Sequence, residues 1–133
     1  MHVLHASTEN DFDAAFEEVK KIKAGGLLIA ADPFFSSHVK QLAGLAIRHS
    51  VPTVYQFREF AIAGGLLSYG TSFTQSFRTV GNYTGRILKG EKPADLPIQQ
   101  ATAVELIINQ RTAKALGISV PQALISRADE VIE

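Results

Sequence analysis

Apolar residues along this chain alternate between short continuous runs and helically spaced stripes, and the alternation sets the first expectations. Val3 to Ala6 is a short apolar run, and the polar cluster Ser7 to Asp11 after it places Thr8 and Asp11 at capping-box spacing. A helix is predicted from there, with Phe12, Ala15, Phe16, Val19 and Ile22 on one face and Gly25-Gly26 as its stop. Leu27 to Ala31 is an apolar run between Gly and Pro, which predicts a strand covered on both faces in a parallel sheet. A second unit follows, with Ser36 and Ser37 capping a helix that buries Val39, Leu42, Ala43, Ala46 and Ile47, and Pro52 to Tyr55 returning to the sheet.

The spacing then predicts a short helix from Phe57 to Ala63, ended by Gly64-Gly65, and a strand from Leu66 to Tyr69. Gly70, Thr71 and Ser72 turn the chain into a long helix ending at Gly90, with a stripe of Phe73, Phe77, Val80, Thr84 and Ile87. Gly81 and Gly85 each cost a helix interior about 1 kcal/mol relative to alanine, so a closely packed second backbone is expected beside them. Past Gly90, prolines 93, 97 and 121 punctuate shorter elements: a linker through Leu96, an extended run 98–100, a strand Glu105 to Asn109, a helix Gln110 to Leu116 and a final strand in 128–132. The architecture expected is α/β, a doubly wound parallel sheet over residues 1–90, with residues 91–133 as a hinge-crossing and bracing tail of the same domain.

Composition narrows the function classes. With 13 Lys+Arg against 13 Asp+Glu the formal charge is zero, so no basic field points to nucleic acid. The absence of cysteine removes disulfides, thiolate metal sites and cysteine nucleophiles. The start MHVLHASTEND has no signal-peptide pattern, and no apolar run has the length of a membrane span. His2 and His5 point to opposite faces of an extended segment, and His38 and His49 sit at opposite ends of one helix, so no metal pair is expected. No nucleophile elbow, Walker A loop or dinucleotide fingerprint occurs, and no catalytic residue, enzyme activity or cofactor is expected. Asn82-Tyr83-Thr84 is a glycosylation sequon in form only, inside a predicted helix.

Open parallel sheets bind ligands beyond the carboxyl ends of their strands. The candidate ligand-binding residues are therefore Asp32, Phe34 and Phe35 after the strand at 27–31, Tyr55, Arg58 and Glu59 after the strand at 52–55, and Tyr69, Thr71 and Ser72 at the end of the strand at 66–69. Together they suit a small polar or zwitterionic molecule. Each also has an ordinary structural role. Asp32 before Pro33 is a ready N-cap, one of the adjacent phenylalanines belongs in the core with the other exposed as an aromatic wall, Arg58 and Glu59 suit surface ion pairs, and Tyr69 beside Gly70 sits where a backbone can approach closely.

The segments ADPFFSS, VYQFREF, GGLLSYG, RILKGEKPADLP and ELIINQRTAKALGISVP resemble, in that order, the substrate-binding proteins of ABC transporters related to tryptophan/tyrosine and branched-chain amino-acid binders. The resemblance implies the carboxyl-terminal lobe of a two-lobed periplasmic binding fold of the class I type, with solute held between lobes and the closed complex presented to an ABC permease through the full-length parent. It also implies a periplasmic location, a small-molecule ligand of the amino-acid or aromatic or organic-acid kind, and no catalysis. Family members begin with an export signal and a first lobe, whereas this sequence starts at the family's second strand of the second lobe. The expectation is a truncated product that self-associates into a homo-oligomer through exposed apolar surface. The alternatives are a flavodoxin-like regulatory or enzymatic domain binding a phosphorylated ligand at Ser36-Ser37 or Thr71-Ser72, and a purely structural domain dimerising through Phe34-Phe35.

Overall fold

The computed structural model describes residues 1–99 and 104–133. Helix α1 (Asn10–Lys21) starts where the capping-box spacing places it, but by half of that device: the Asp11 carboxylate accepts from the Ser7 and Thr8 amides at 2.9 and 2.8 Å and from the Thr8 hydroxyl at 3.0 Å. These donors hold the Asp11 carboxyl below the usual aspartate range, the Ser7 amide contributing most. Phe12, Phe16 and Val19 are buried, as the stripe requires.

Strand β1 (Leu27–Leu28) is shorter and more open than the apolar run 27–31 suggests. It pairs on one side only, with β2 (Thr53–Tyr55), and Leu28 is 74% exposed, so β1 is an edge strand and not one covered on both faces. Val3 to Ala6 likewise joins no strand ladder, although Leu4 and Ala6 pack against the core.

Helices α2 (Pro33–Ser37) and α3 (Val39–Arg48) replace the single helix expected after β1. Ser36 and Ser37 fall inside α2, and His38 stands at the junction. Leu42, Ala43, Leu45 and Ala46 are buried on α3 while Ile47 turns outward, a small rotation from the expected stripe. His38 ties the junction to α1. Its Nδ1 donates to the Phe34 carbonyl at 2.7 Å, and Nε2 lies 3.1 Å from the Glu9 carboxylate. The Phe34 carbonyl, then Glu9, raise its pKa above 6.5.

A group whose pKa is raised by folding contributes stability that is complete below the unfolded value and is lost as pH rises through the folded one. The destabilisation caused by His38→Gln is therefore expected to be larger near pH 5.5 than near pH 8.5, about a unit or more on either side of the ordinary histidine pKa. Urea unfolding of both proteins at the two pH values checks this, and an equal gap at both contradicts the assignment.

Helix α4 (Arg58–Ile62), strand β3 (Leu67–Thr71) and helix α5 (Phe73–Leu88) follow within a residue or two of expectation. The stripe of α5 exists but buries nothing: Phe77 is 70% exposed, and nothing lies within 4 Å of a Cβ built on Gly81 or Gly85. The close backbone expected beside those glycines is not present among the described residues.

The remaining elements are a 3-10 turn at Pro93–Asp95, strand β4 (Val104–Asn109), helices α6 (Gln110–Ala115) and α7 (Gln122–Ile125), and strand β5 (Glu130–Ile132). Of the extended run 98–100, Gln100 lies outside the described residues. The sheet order is β1-β2-β3-β4-β5, with β3 and β4 antiparallel and every other pair parallel. The run ELIIN, read from sequence as bracing for another lobe, is an internal strand of this sheet. Leu106 to Asn109 are buried, because both of β4's edges are paired and α4 packs on it.

Candidate functional site

Strands β1, β2 and β3 are parallel, so their carboxyl ends open on one edge of the sheet, and β4 begins at the same edge with Val104 opposite Thr71. The segments that follow the three strands meet there. Tyr55 is the junction. It is completely buried, its hydroxyl lies 2.8 Å from Ser36 Oγ, and it donates a longer bond to the Asp32 carbonyl at 3.5 Å. Its ring meets Phe57 and Phe60 edge-on at 5.7 Å. Phe57 stacks on Phe73 with centroids 3.9 Å apart, and Phe73 leads on to Phe77 at 6.1 Å. An aromatic row thus runs from the core at Tyr55 to the exposed first turns of α5.

The other candidate residues take several positions around this row. Asp32 caps α2 by accepting the Phe34 amide at 2.7 Å, with Pro33 at the first helical position as its sequence suggests. Phe34 and Phe35 are both half-buried and both pack on Phe12, at 5.3 and 6.1 Å, so the expected division into one core ring and one exposed wall does not occur. Arg58 sits between two carboxylates, 2.5 Å from Glu130 and 3.7 Å from Glu105, and Glu59 is exposed. Tyr69 is 62% exposed on β3 and by strand alternation shares a face with Thr71, while Ser68 is buried on the other face. Ser72 is buried, and its Oγ caps α5 through a long bond from the Gln75 amide.

Sequence reasoning missed Phe73, Glu105 and Glu130 as parts of this edge, and took Gln56 only as part of the segment after Tyr55. Phe73 was counted only in a helix stripe, and the two glutamates come from strands whose place beside β3 no local pattern announces. Gln56 has a signal in Gly70. A Cβ built on Gly70 falls 2.3 Å from the Gln56 carbonyl oxygen, so glycine is what lets the β2 exit and β3 close on each other. Gly70→Ala is expected to lower stability by about 1–3 kcal/mol, since the obstacle is backbone and cannot swing aside. Denaturant midpoints measure this, and an unchanged midpoint contradicts the close approach.

The Ser36 and Ser37 hydroxyls, one of the two pairs that a phosphate site would use, are engaged internally. Ser36 Oγ bonds Tyr55 and the Asp32 carbonyl, and Ser37 Oγ donates to the Phe34 carbonyl at 2.7 Å. Among the described residues no group of three or more His, Cys, Asp or Glu is placed to hold a metal ion, and no helix is long and apolar enough to cross a membrane.

A mostly parallel α/β sheet whose post-strand segments converge on one edge, with aromatic rings and polar groups among them, is an arrangement in which open sheets hold small molecules. The chain belongs to the family described as ABC transporter substrate binding protein, whose model matches residues 1–132. It is similar to a conserved domain protein of Vibrio cholerae, at 25% identity and a TM-score of 0.82 over 95% of this chain and 42% of that one. It is also similar to the ABC domain from Streptococcus pneumoniae in complex with L-Trp, at 23% identity and a TM-score of 0.80 over 98% of this chain and 44% of that one. The ligand-free, open structure of CD0873, a substrate binding protein with adhesive properties from Clostridium difficile, is 20% identical with a TM-score of 0.65, over 96% of this chain and 42% of that one. This chain therefore spans less than half the length of each of these structures. No similarity to a curated protein is found.

Proposed function

We propose that this chain forms one lobe of the solute-binding component of an ABC importer, and that it takes an amino acid or a small aromatic or organic acid at the carboxyl edge of β1–β3 without chemical change. The observation that carries this reading is the convergence of the three post-strand segments on the row Tyr55–Phe57–Phe73. Family membership and a structural neighbour holding L-Trp support it. In this reading Tyr55 and Ser72 position the edge from within, whereas Tyr69, Thr71, Asp32 and Phe73 offer surface to the ligand. Phe34 and Phe35 back α2, and Glu59 stands at the rim. Arg58 meets the ligand carboxylate only by giving up Glu105 or Glu130, which sets a polar cost on binding. An aromatic solute gains most, because stacked or edge-on rings add about 0.5–1.5 kcal/mol each beyond the area they bury.

The permease would meet the parent protein after closure, in the compartment outside the cytoplasmic membrane. The residues from Gly90 to Pro97 would carry the hinge. Solute titrations followed by thermal shift test the ligand class, using L-Trp, L-Tyr, L-Leu, L-Val, benzoate and succinate. A saturable rise in midpoint with L-Trp or L-Tyr, and a smaller one or none with succinate, is the expected order. No shift with any of them overturns the ligand class.

A further inference from the structure

Helix α2 borders the carboxyl edge and has little to hold it there. It is five residues long, far shorter than a helix that stands by itself in water, and none of its residues is fully buried. Its attachments are the packing of Phe34 and Phe35 on Phe12, the bond between the Ser36 hydroxyl and Tyr55, and His38 at its carboxyl end. The third depends on a histidine proton.

Both ring nitrogens of His38 face acceptors. Nδ1 lies 2.7 Å from the Phe34 carbonyl of α2, and Nε2 lies 3.1 Å from the carboxylate of Glu9 at the N-cap of α1. The Ser37 hydroxyl is 3.0 Å from Nδ1, but it donates its own proton to the Phe34 carbonyl and so offers the ring only lone pairs. Neutral imidazole has one N–H and satisfies one side, whereas imidazolium satisfies both. The ring packs between Phe12 and Phe34, with centroids at 5.6 and 4.7 Å. Glu9 is the charged group it meets. On the elements around it, Asp11 accepts from Ser7 and Thr8, Asp13 faces Arg48 and His49, Asp32 accepts the Phe34 amide, and Lys40 is exposed. The Phe34 carbonyl, then Glu9, raise the His38 pKa above its ordinary value.

We propose that His38 is a proton-operated latch on α2: protonated, it ties α2 to α1 through the Phe34 carbonyl and Glu9, and on losing its proton it releases one of the two and loosens the α2 side of the carboxyl edge. A ring nitrogen without its proton turns a lone pair toward an acceptor, and that side opens. Asp32 and Ser36 move with α2, so the hold they have on Tyr55 weakens. Because the proton favours the docked helix, docking is complete below the ordinary histidine pKa and declines as pH rises through the raised one. Coupling is reciprocal, so a ligand that needs the docked edge binds more tightly at low pH; for a solute this consequence rests on the reading of that edge as the binding site.

The test is hydrogen exchange of the whole chain, without solute, near pH 5.5 and near pH 8.5, about a unit or more on either side of the ordinary histidine pKa. Rates are divided by those of an unfolded chain at the same pH. Protection of the Ser36 and His38 amides, which donate to the Asp32 and Phe35 carbonyls, is expected to fall about fivefold or more between the two, while amides in the middle of α3 keep theirs. His38→Gln is expected to abolish the difference. His49→Gln is expected to preserve it, since His49 joins α3 to Asp13 and Glu17 of α1. Equal protection of α2 at both pH values, a difference that survives His38→Gln, or one lost in His49→Gln overturns the latch. L-Trp titrations at the same two pH values read the consequence for the site, with weaker binding expected near pH 8.5 and equal affinity contradicting the coupling. The exchange experiment needs no solute, so failure of the latch and failure of L-Trp to bind are distinct results.

Discussion

Tyr55→Ala is expected to lower stability by about 3–5 kcal/mol, the range for removing a large aromatic side chain from a packed interior. Tyr55 is completely buried and joins elements far apart in sequence: it bonds Ser36, reaches the Asp32 carbonyl and packs on Phe57 and Phe60. Its loss removes the common support of the segments after β1 and β2. Tyr55→Phe separates packing from hydrogen bonding. It keeps the ring and deletes a hydroxyl whose partner, Ser36 Oγ, retains the Asp32 carbonyl at 2.9 Å, so a loss of only about 1 kcal/mol is expected. Urea unfolding of both variants measures the difference. Equal losses would mean that the hydroxyl network, and not the ring, holds the edge together.

Asn109→Ala is expected to cost about 2–4 kcal/mol, because one buried side chain serves two backbone groups. Its Oδ1 accepts the Thr112 amide at 3.0 Å and caps α6, while Nδ2 donates to the Ala61 carbonyl of α4 at 2.9 Å. Thr112 adds a bond from its hydroxyl to the Gly64 carbonyl at 2.8 Å. Alanine forfeits the cap and strands a carbonyl away from water. Asn109→Asp is the sharper variant: it keeps the cap oxygen but faces the Ala61 carbonyl with a second acceptor, so it is expected to be no better than alanine at neutral pH. A stability near that of the unchanged protein for Asn109→Asp would show that the cap alone matters.

The asparagine also shows how the sequence was legible and where it was not. ELIIN was recognised as a strand with a helix behind it, and both exist as β4 and α6. That β4 runs antiparallel beside β3, inside the same sheet, depends on contacts between residues roughly forty apart, which no periodicity encodes. Helix α1 was readable because stripe, cap spacing and glycine stop agree locally, and α4 because Gly64-Gly65 ends it. The apolar run 27–31 misled because an apolar run promises cover on both faces of a strand but cannot supply the layer that packs there, and Leu28 is 74% exposed. The stripe of α5 misled similarly, since amphipathic spacing promises an apolar face but not a partner for it.

At the candidate site the strand-edge rule picked segments that the structure does bring together, and the structure gives their residues different positions. Tyr55 and Ser72 were placed among ligand contacts by position, yet both are buried and hold other groups. Phe73, which was counted as helix core, is 41% exposed and stacks on Phe57. Burial and stacking depend on how loops from different strands meet, so residue type and order alone do not separate the supports from the surface they present. Arg58 illustrates the electrostatic side. Its residue type suits a carboxylate ligand, and its carboxylate partners, Glu105 and Glu130, arrive from β4 and β5.

The most direct measurement is an amide chemical-shift titration of the whole chain with L-Trp. The account predicts saturable changes grouped at Gln56 to Arg58 and Tyr69 to Phe73, with β5 and the far end of α5 unaffected. Saturable changes centred elsewhere, or none at any concentration that keeps the chain folded, would contradict a solute site at the carboxyl edge of β1–β3.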